Sequence, residues 1–212
     1  MRSLLFLLAV CAPVGVRAAD TASGSTTVAA LAQAVEAAAD RVEQEQDSGV
    51  RRAILAQAER DAATCLARAP QTAGCQYSAA LVQGLDAREH PLHFRGFLKR
   101  MLAGLTRAEA LDPNYDFAGP ARVQALVFVR APGWPIGPGD PKAALAAAQR
   151  AVAAQPDYPP NWLALGETQA RMGAKGDAHA SYARARALAE PLPPSPDRNE
   201  WLHEARAGLE AH

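Results

Sequence analysis

The chain has 212 residues, enough for one domain with a sizeable core or for four or five helix pairs set side by side, so nothing calls for a second folding unit. Apolar residues make up 49%, alanine supplies much of that share and aromatics are only 6%, a balance that favours helix and excludes a strand-rich fold. Lys plus Arg and Asp plus Glu each total 22, which removes the overall electrostatic case for nucleic acid or an anionic membrane as partner and leaves room only for a local basic patch.

The chain opens on MRSLLFLLAVCAPVGVRA, with a basic start at Arg2, an apolar stretch from Leu4 to Val10 and small residues at its end. That order predicts an export signal over 1–18, cleaved after Ala18, and hence a periplasmic protein. Two rivals read less well. A membrane span needs ~20 apolar residues, and positions 4–16 supply 13. Lipid attachment at Cys11 is opposed by the bulk of Val10 directly before it.

Beyond a Ser/Thr/Gly stretch at 21–27, apolar residues recur at Val28, Leu31, Val35, Ala38 and Val42, one face of a helix ended by Asp47-Ser48-Gly49. This N-terminal helix (within 19–49) precedes a helical repeat domain over 50–212. Val50, Ile54, Leu55, Ala58, Cys65 and Leu66 mark a second helix, stopped at Pro70. A third runs from about Cys75 to Ala87, and after His90-Pro91 a strongly apolar fourth carries Phe94, Phe97, Leu98, Met101, Leu102, Leu105 and Leu111. A fifth, from about Asp116 to Ala131, halts at the loop PGWPIGPG (132–139). Asp140-Pro141 then restarts the helix, the Asp accepting first-turn amide hydrogens and the Pro losing nothing at a position whose amide has no partner. Helices over 161–172 and 177–190 follow, the first closed by Gly173. After PLPPSP comes a last helix, which the sequence caps with Asp197 and packs through Trp201, Leu202, Ala205 and Leu209.

An exported chain keeps its thiols in an oxidising compartment, which predicts a Cys65–Cys75 disulfide stapling the second helix to the third; the alternative is two buried thiols packed as small hydrophobes. A loop this short would contribute somewhat under ~3 kcal/mol.

The prolines at 70, 113 and 156 stand 43 residues apart, the mark of a structural repeat. A shorter step of 34 residues links Phe128 to Trp162, Ala144 to Ala178, Ala148 to Tyr182 and Ala151 to Ala185, which is the tetratricopeptide length. Trp162, Leu165, Gly166, Ala178, Tyr182 and Ala185 fall where that pattern wants them, the small residues letting paired helices close and the two rings filling gaps between pairs. The fold expected is all-α, a tetratricopeptide-like α–α superhelix of four to five helix pairs.

The run from Asp116 to Glu167, with its APGWP, GD, AV and PDYPPN elements, resembles the T-component family of tripartite ATP-independent periplasmic (TRAP) transporters over most of 65–188. The chain departs from that pattern in its poor lipidation site and in Gln124-Ala125, where the family has Leu-Gly. The resemblance implies a helical periplasmic protein acting with a solute-binding partner.

No Ser/His/Asp arrangement, paired-carboxylate motif or nucleophilic cysteine stands out, so the chain reads as a binding protein and not an enzyme, with no cofactor. His90 and His93 with Glu89 sit at a proline break instead of on one helical face, which suits a solvated loop better than a metal site. The GWPIGPGD glycines lack the strand and Lys-Ser/Thr of a phosphate loop. Arg122, Leu126, Leu163, Glu167 and Arg171 are expected along a concave groove. Trp134, in its long insertion, either reaches into that groove or a second subunit, or folds back over its helix pair. The expected partner is a solute-binding protein or a small apolar ligand, with self-association open. The alternative is a general envelope scaffold with no transport role.

Overall fold

A computed structural model describes residues 18–211, with side chains from residue 28 onward other than Glu43. The predicted signal, Cys11 included, lies outside the described residues save for Ala18. Nine helices fill the described chain: α1 (Ala18–Gln44), α2 (Ser48–Arg68), α3 (Ala73–Glu89), α4 (Phe94–Leu111), α5 (Tyr115–Arg130), α6 (Pro141–Ala154), α7 (Pro159–Arg171), α8 (Lys175–Ala189) and α9 (Pro196–Ala211). Among these residues the only β pairing is an isolated bridge between Gly133 and Gly139, so the chain is all-α. The backbone of the 21–27 stretch, expected to precede the first helix, belongs to α1. Once a helix is nucleated each added residue makes a hydrogen bond, and that stretch holds no proline to stop it.

Proline sets the rhythm. α2, α4 and α6 end at Arg68, Leu111 and Ala154, each two residues before its proline and 43 residues from the last, because a proline ring pushes the preceding residue out of the α conformation. Ala69, Asp112 and Gln155 leave the helix, and their amide hydrogens bond back to the carbonyls of Cys65, Ala108 and Ala151. Helix starts are set by side-chain oxygens: Asp47 Oδ1 accepts from Gly49 and Val50 at α2, and Asp140 Oδ1 from Lys142 and Ala143 at α6. At α9 the cap is Ser195, whose Oγ accepts from Arg198 N at 3.1 Å, and not Asp197. Pro196 takes the first helical position, so Asp197 falls inside the first turn.

Each helix packs on its successor, and α1, α3, α5, α7 and α9 also pack on one another in that order, whereas no two even-numbered helices touch among the described residues. The odd-numbered helices therefore form one continuous layer and the even-numbered ones a splayed second layer. Alanine makes the seams: Ala108, Ala125, Ala144, Ala148, Ala151, Ala178 and Ala185 are all fully buried, and so small a side chain lets helix axes approach closely.

The 43-residue period holds at the joints. Cys65, Ala108 and Ala151 close α2, α4 and α6, and Cys75, Ala118 and Asn161 open α3, α5 and α7, all at 0% exposure. The same joint is fastened differently each time. Cys65 and Cys75 form the disulfide, Ala108 and Ala118 bring only methyl groups, and Asn161 Nδ2 donates to the Ala151 carbonyl at 3.2 Å.

One buried carboxyl gives the fold a pH dependence. Asp86, on α3 and 7% exposed, has its pKa pushed up to about 6 by burial and by the Glu59 carboxylate on α2, with His90 and Arg100 opposing. A carboxyl whose folded value exceeds its unfolded one near 3.8 binds more protons when folded, so its contribution is complete below pH ~4 and is lost as pH rises through ~6. Denaturant midpoints should therefore fall over that window, and Asp86→Asn should flatten the fall; an unchanged pH profile in the variant would contradict this assignment.

Candidate binding groove

Three residues at the start of α5 have left-handed backbone: Asp116 (φ 48°), Phe117 (φ 51°) and Ala118 (φ 64°). Without glycine this conformation costs about 1–2 kcal/mol per residue, so the surroundings must hold it. Arg122, one turn further along α5, donates to the carbonyls of Asp116 (3.2 Å) and Phe117 (3.1 Å) and to Asp116 Oδ2 (2.8 Å). Asn161, on α7, donates to the Phe117 carbonyl at 3.1 Å and accepts from Arg122 at 3.2 Å. Tyr77 Oη, on α3, donates to Asp116 Oδ2 at 2.8 Å. Burial, followed by the Asp116 charge, pushes the Tyr77 hydroxyl well above its ordinary value, so it stays a donor. Beside it Tyr115 Oη donates to Glu36 Oε1 at 2.7 Å, which ties α1 to the same knot.

The turn presents the Phe117 ring, 56% exposed, face to face with Tyr158 at 4.6 Å between centroids. Tyr158 meets Trp201 of α9 edge-on at 5.5 Å, and the Arg122 guanidinium lies 5.1 Å from the Tyr158 centroid. An aromatic row thus runs from α5 across α7 to α9.

It leads into a groove of about 570 Å³ between α5, α7 and α9, lined among others by Arg122, Leu126, Arg130, Leu163, Glu167, Trp201 and Glu204. Four of the six residues expected along a groove, Arg122, Leu126, Leu163 and Glu167, line it together. Arg171 and Trp134 do not. Arg171 is exposed in the last turn of α7, beyond the groove's end, and Trp134 rides the α5–α6 loop with 86% of its surface open, folded back over nothing.

The residues expected to pack the repeat lie at contacts between helices. Leu165 is buried against Ala125, Ala147 and Ala148. Trp162 packs beside both that cluster and the one around Tyr182, its indole N–H donating to the Pro156 carbonyl at 2.7 Å. Ala178 and Ala185 are fully buried. Tyr182 is held between two glycines: a β-carbon at Gly166 would stand 3.0 Å from its ring and one at Gly208 2.5 Å. Gly208, from α9, carries no mark in the sequence, since its use depends on a ring on the preceding helix, α8.

The groove is acidic overall. Arg122 is committed to Asp116 and Arg130 reaches Glu167 at 2.7 Å, while Glu200 and Glu204 line the α9 side. Burial, followed by the Glu200 charge, pushes the Glu204 carboxyl up. A cation on an occupant would offset the repulsion between Glu200 and Glu204. Apolar side chains are supplied with Leu126, Leu163 and Trp201 as a floor.

Among the described residues no group of three or more His, Cys, Asp or Glu is placed to hold a metal ion. No protein-family model matches the chain, and no curated protein matches it. The T-component resemblance therefore stands on the residues quoted for it.

Proposed function

We propose that this chain is an exported, non-catalytic binding protein of tetratricopeptide type, similar to the T component of TRAP transporters, whose odd-numbered helices curve into an α–α superhelix and whose groove holds a segment of a solute-binding protein. The single observation that supports this reading is the convergence of Arg122, Leu126, Leu163 and Glu167 with Trp201 and Glu204 on one open groove. A mixed apolar and acidic trough of this kind suits an extended or helical peptide carrying apolar side chains and a cation. The disulfide, a bond that oxidising compartments allow to persist, supports export.

The test is a pull-down from envelope extract with the wild-type chain and with Leu126→Asp combined with Glu204→Lys. Both positions face the groove and neither is fully buried, so the fold should survive. The expected result is a solute-binding protein recovered by the wild type and reduced at least about tenfold by the variant, as loss of one apolar anchor and one charge pair predicts. Recovery of a different envelope protein through the same groove would replace the transport role with a general scaffold. Equal recovery by both chains would place binding elsewhere.

A further inference from the structure

The large apolar side chains most open to solvent are Leu92 (92%), Trp134 (86%) and Ile136 (61%). They belong to two loops, α3–α4 and α5–α6, each joining an odd-numbered helix to the even-numbered one after it. These loops lie on one edge of the helix array. Arg51 at the start of α2 pairs with Glu89 at the end of α3 (3.4 Å), a β-carbon at Gly137 would stand 3.4 Å from Phe94 at the start of α4, and Arg130 at the end of α5 pairs with Glu167 near the end of α7. The α7–α8 turn continues the row with Met172, 42% exposed.

The edge is also basic, although the chain as a whole is neutral. Between Glu89 and Glu109 there is no acid, and Arg95, Lys99 and Arg100 follow Leu92 along α4. Acids nearby are engaged: Asp47 and Asp140 cap α2 and α6, Glu45 accepts from the Asp47 amide, Glu89 and Glu167 are paired, and Asp86 is buried. A shallow cleft of about 610 Å³ lined by His90, His93, Arg95, Phe97 and Arg100 opens directly beside Leu92.

We infer that this edge docks peripherally on an anionic bilayer, with Leu92, Trp134 and Ile136 entering the headgroup boundary and Arg95, Lys99 and Arg100 meeting lipid phosphates. Among the described residues no helix is long and apolar enough to cross a membrane, so the contact is with a surface. Two physical features select lipid over protein. The apolar side chains are separate prongs on loop tips, which a fluid layer accommodates without preformed pockets, whereas a protein partner would need one matching cavity for each. Trp beside Lys and Arg is also the pairing that the bilayer interface stabilises, the ring at headgroup depth and the cations on anionic lipid.

The test is flotation of the oxidised, signal-free chain with vesicles of phosphatidylglycerol and phosphatidylethanolamine, and with pure phosphatidylcholine. The wild type should float with the anionic vesicles, with binding lowered by salt. Combined Leu92→Ser, Trp134→Ser and Ile136→Ser should lower partitioning at least about tenfold, since each buried apolar group adds to interfacial binding. Arg95→Gln with Lys99→Gln should remove the preference for anionic over neutral vesicles. All five positions are exposed to solvent, and unchanged circular dichroism certifies the fold. Absence of vesicle binding by the wild type, or equal binding by the serine variant, would overturn the inference. So would a serine variant that changes only the oligomeric mass in light scattering, which would assign the edge to contacts between copies.

Discussion

Asp116→Ala should lower stability by about 2–4 kcal/mol, the cost expected when a nearly buried charge loses its partner. Arg122 is only 12% exposed in its side chain, and the substitution strips it of its carboxylate while Tyr77 loses its acceptor. The left-handed turn would lose the side chain that anchors it from both sides. For a chain of this size the melting temperature should drop by roughly 5–15 °C. Asp116→Asn is the informative control: its carbonyl still accepts from Tyr77 and it tolerates the left-handed region, so it should fall between wild type and alanine. An alanine variant as stable as the wild type would mean that the Arg122–Asp116–Tyr77 knot does not hold the turn. Because the turn aims Phe117 at Tyr158, the same substitution should weaken whatever binds along the aromatic row.

Loss of the Cys65–Cys75 bond should cost somewhat under ~3 kcal/mol, the entropy returned to an unfolded loop of this length. Cys65→Ala with Cys75→Ala would leave this joint like the methyl-only joint of Ala108 and Ala118, so helical circular dichroism should persist at a lower melting temperature. Cys65→Ala with Cys75→Asn copies the third joint, where Asn161 Nδ2 reaches the Ala151 carbonyl. It should regain part of the loss, about 1 kcal/mol for a buried hydrogen bond. Equal stabilities for the two double variants would show that the joints are not interchangeable.

What could be read beforehand was whatever has a period. Proline stops, apolar faces and small residues at fixed steps located all nine helices, because backbone sterics and helix geometry act within a few residues. The disulfide was legible from two cysteines at a helical hairpin, in a sequence whose opening reads as an export signal. Four groove residues were legible because the repeat told which helix faces were shared. The left-handed turn was not, since Asp116, Phe117 and Ala118 include no glycine; the conformation is imposed by Tyr77 and Asn161, 39 and 45 residues from Asp116 in the chain. The 43-residue comparison of Cys75, Ala118 and Asn161 could have shown that position to be a joint. Leu92 and the basic edge escaped for a similar reason, as its loops meet only when the hairpins are laid side by side.

Recognition in the α5–α7–α9 groove is tested most directly by placing a photo-crosslinking residue at Leu126 in the full chain expressed in cells, with matching placements at His179 and Arg206 on exposed faces of α8 and α9. The expected outcome is one crosslinked product, identified by mass spectrometry as a solute-binding protein, from Leu126 and not from the other two sites. The same product from all three positions, or none from Leu126, would contradict a groove that recognises its partner.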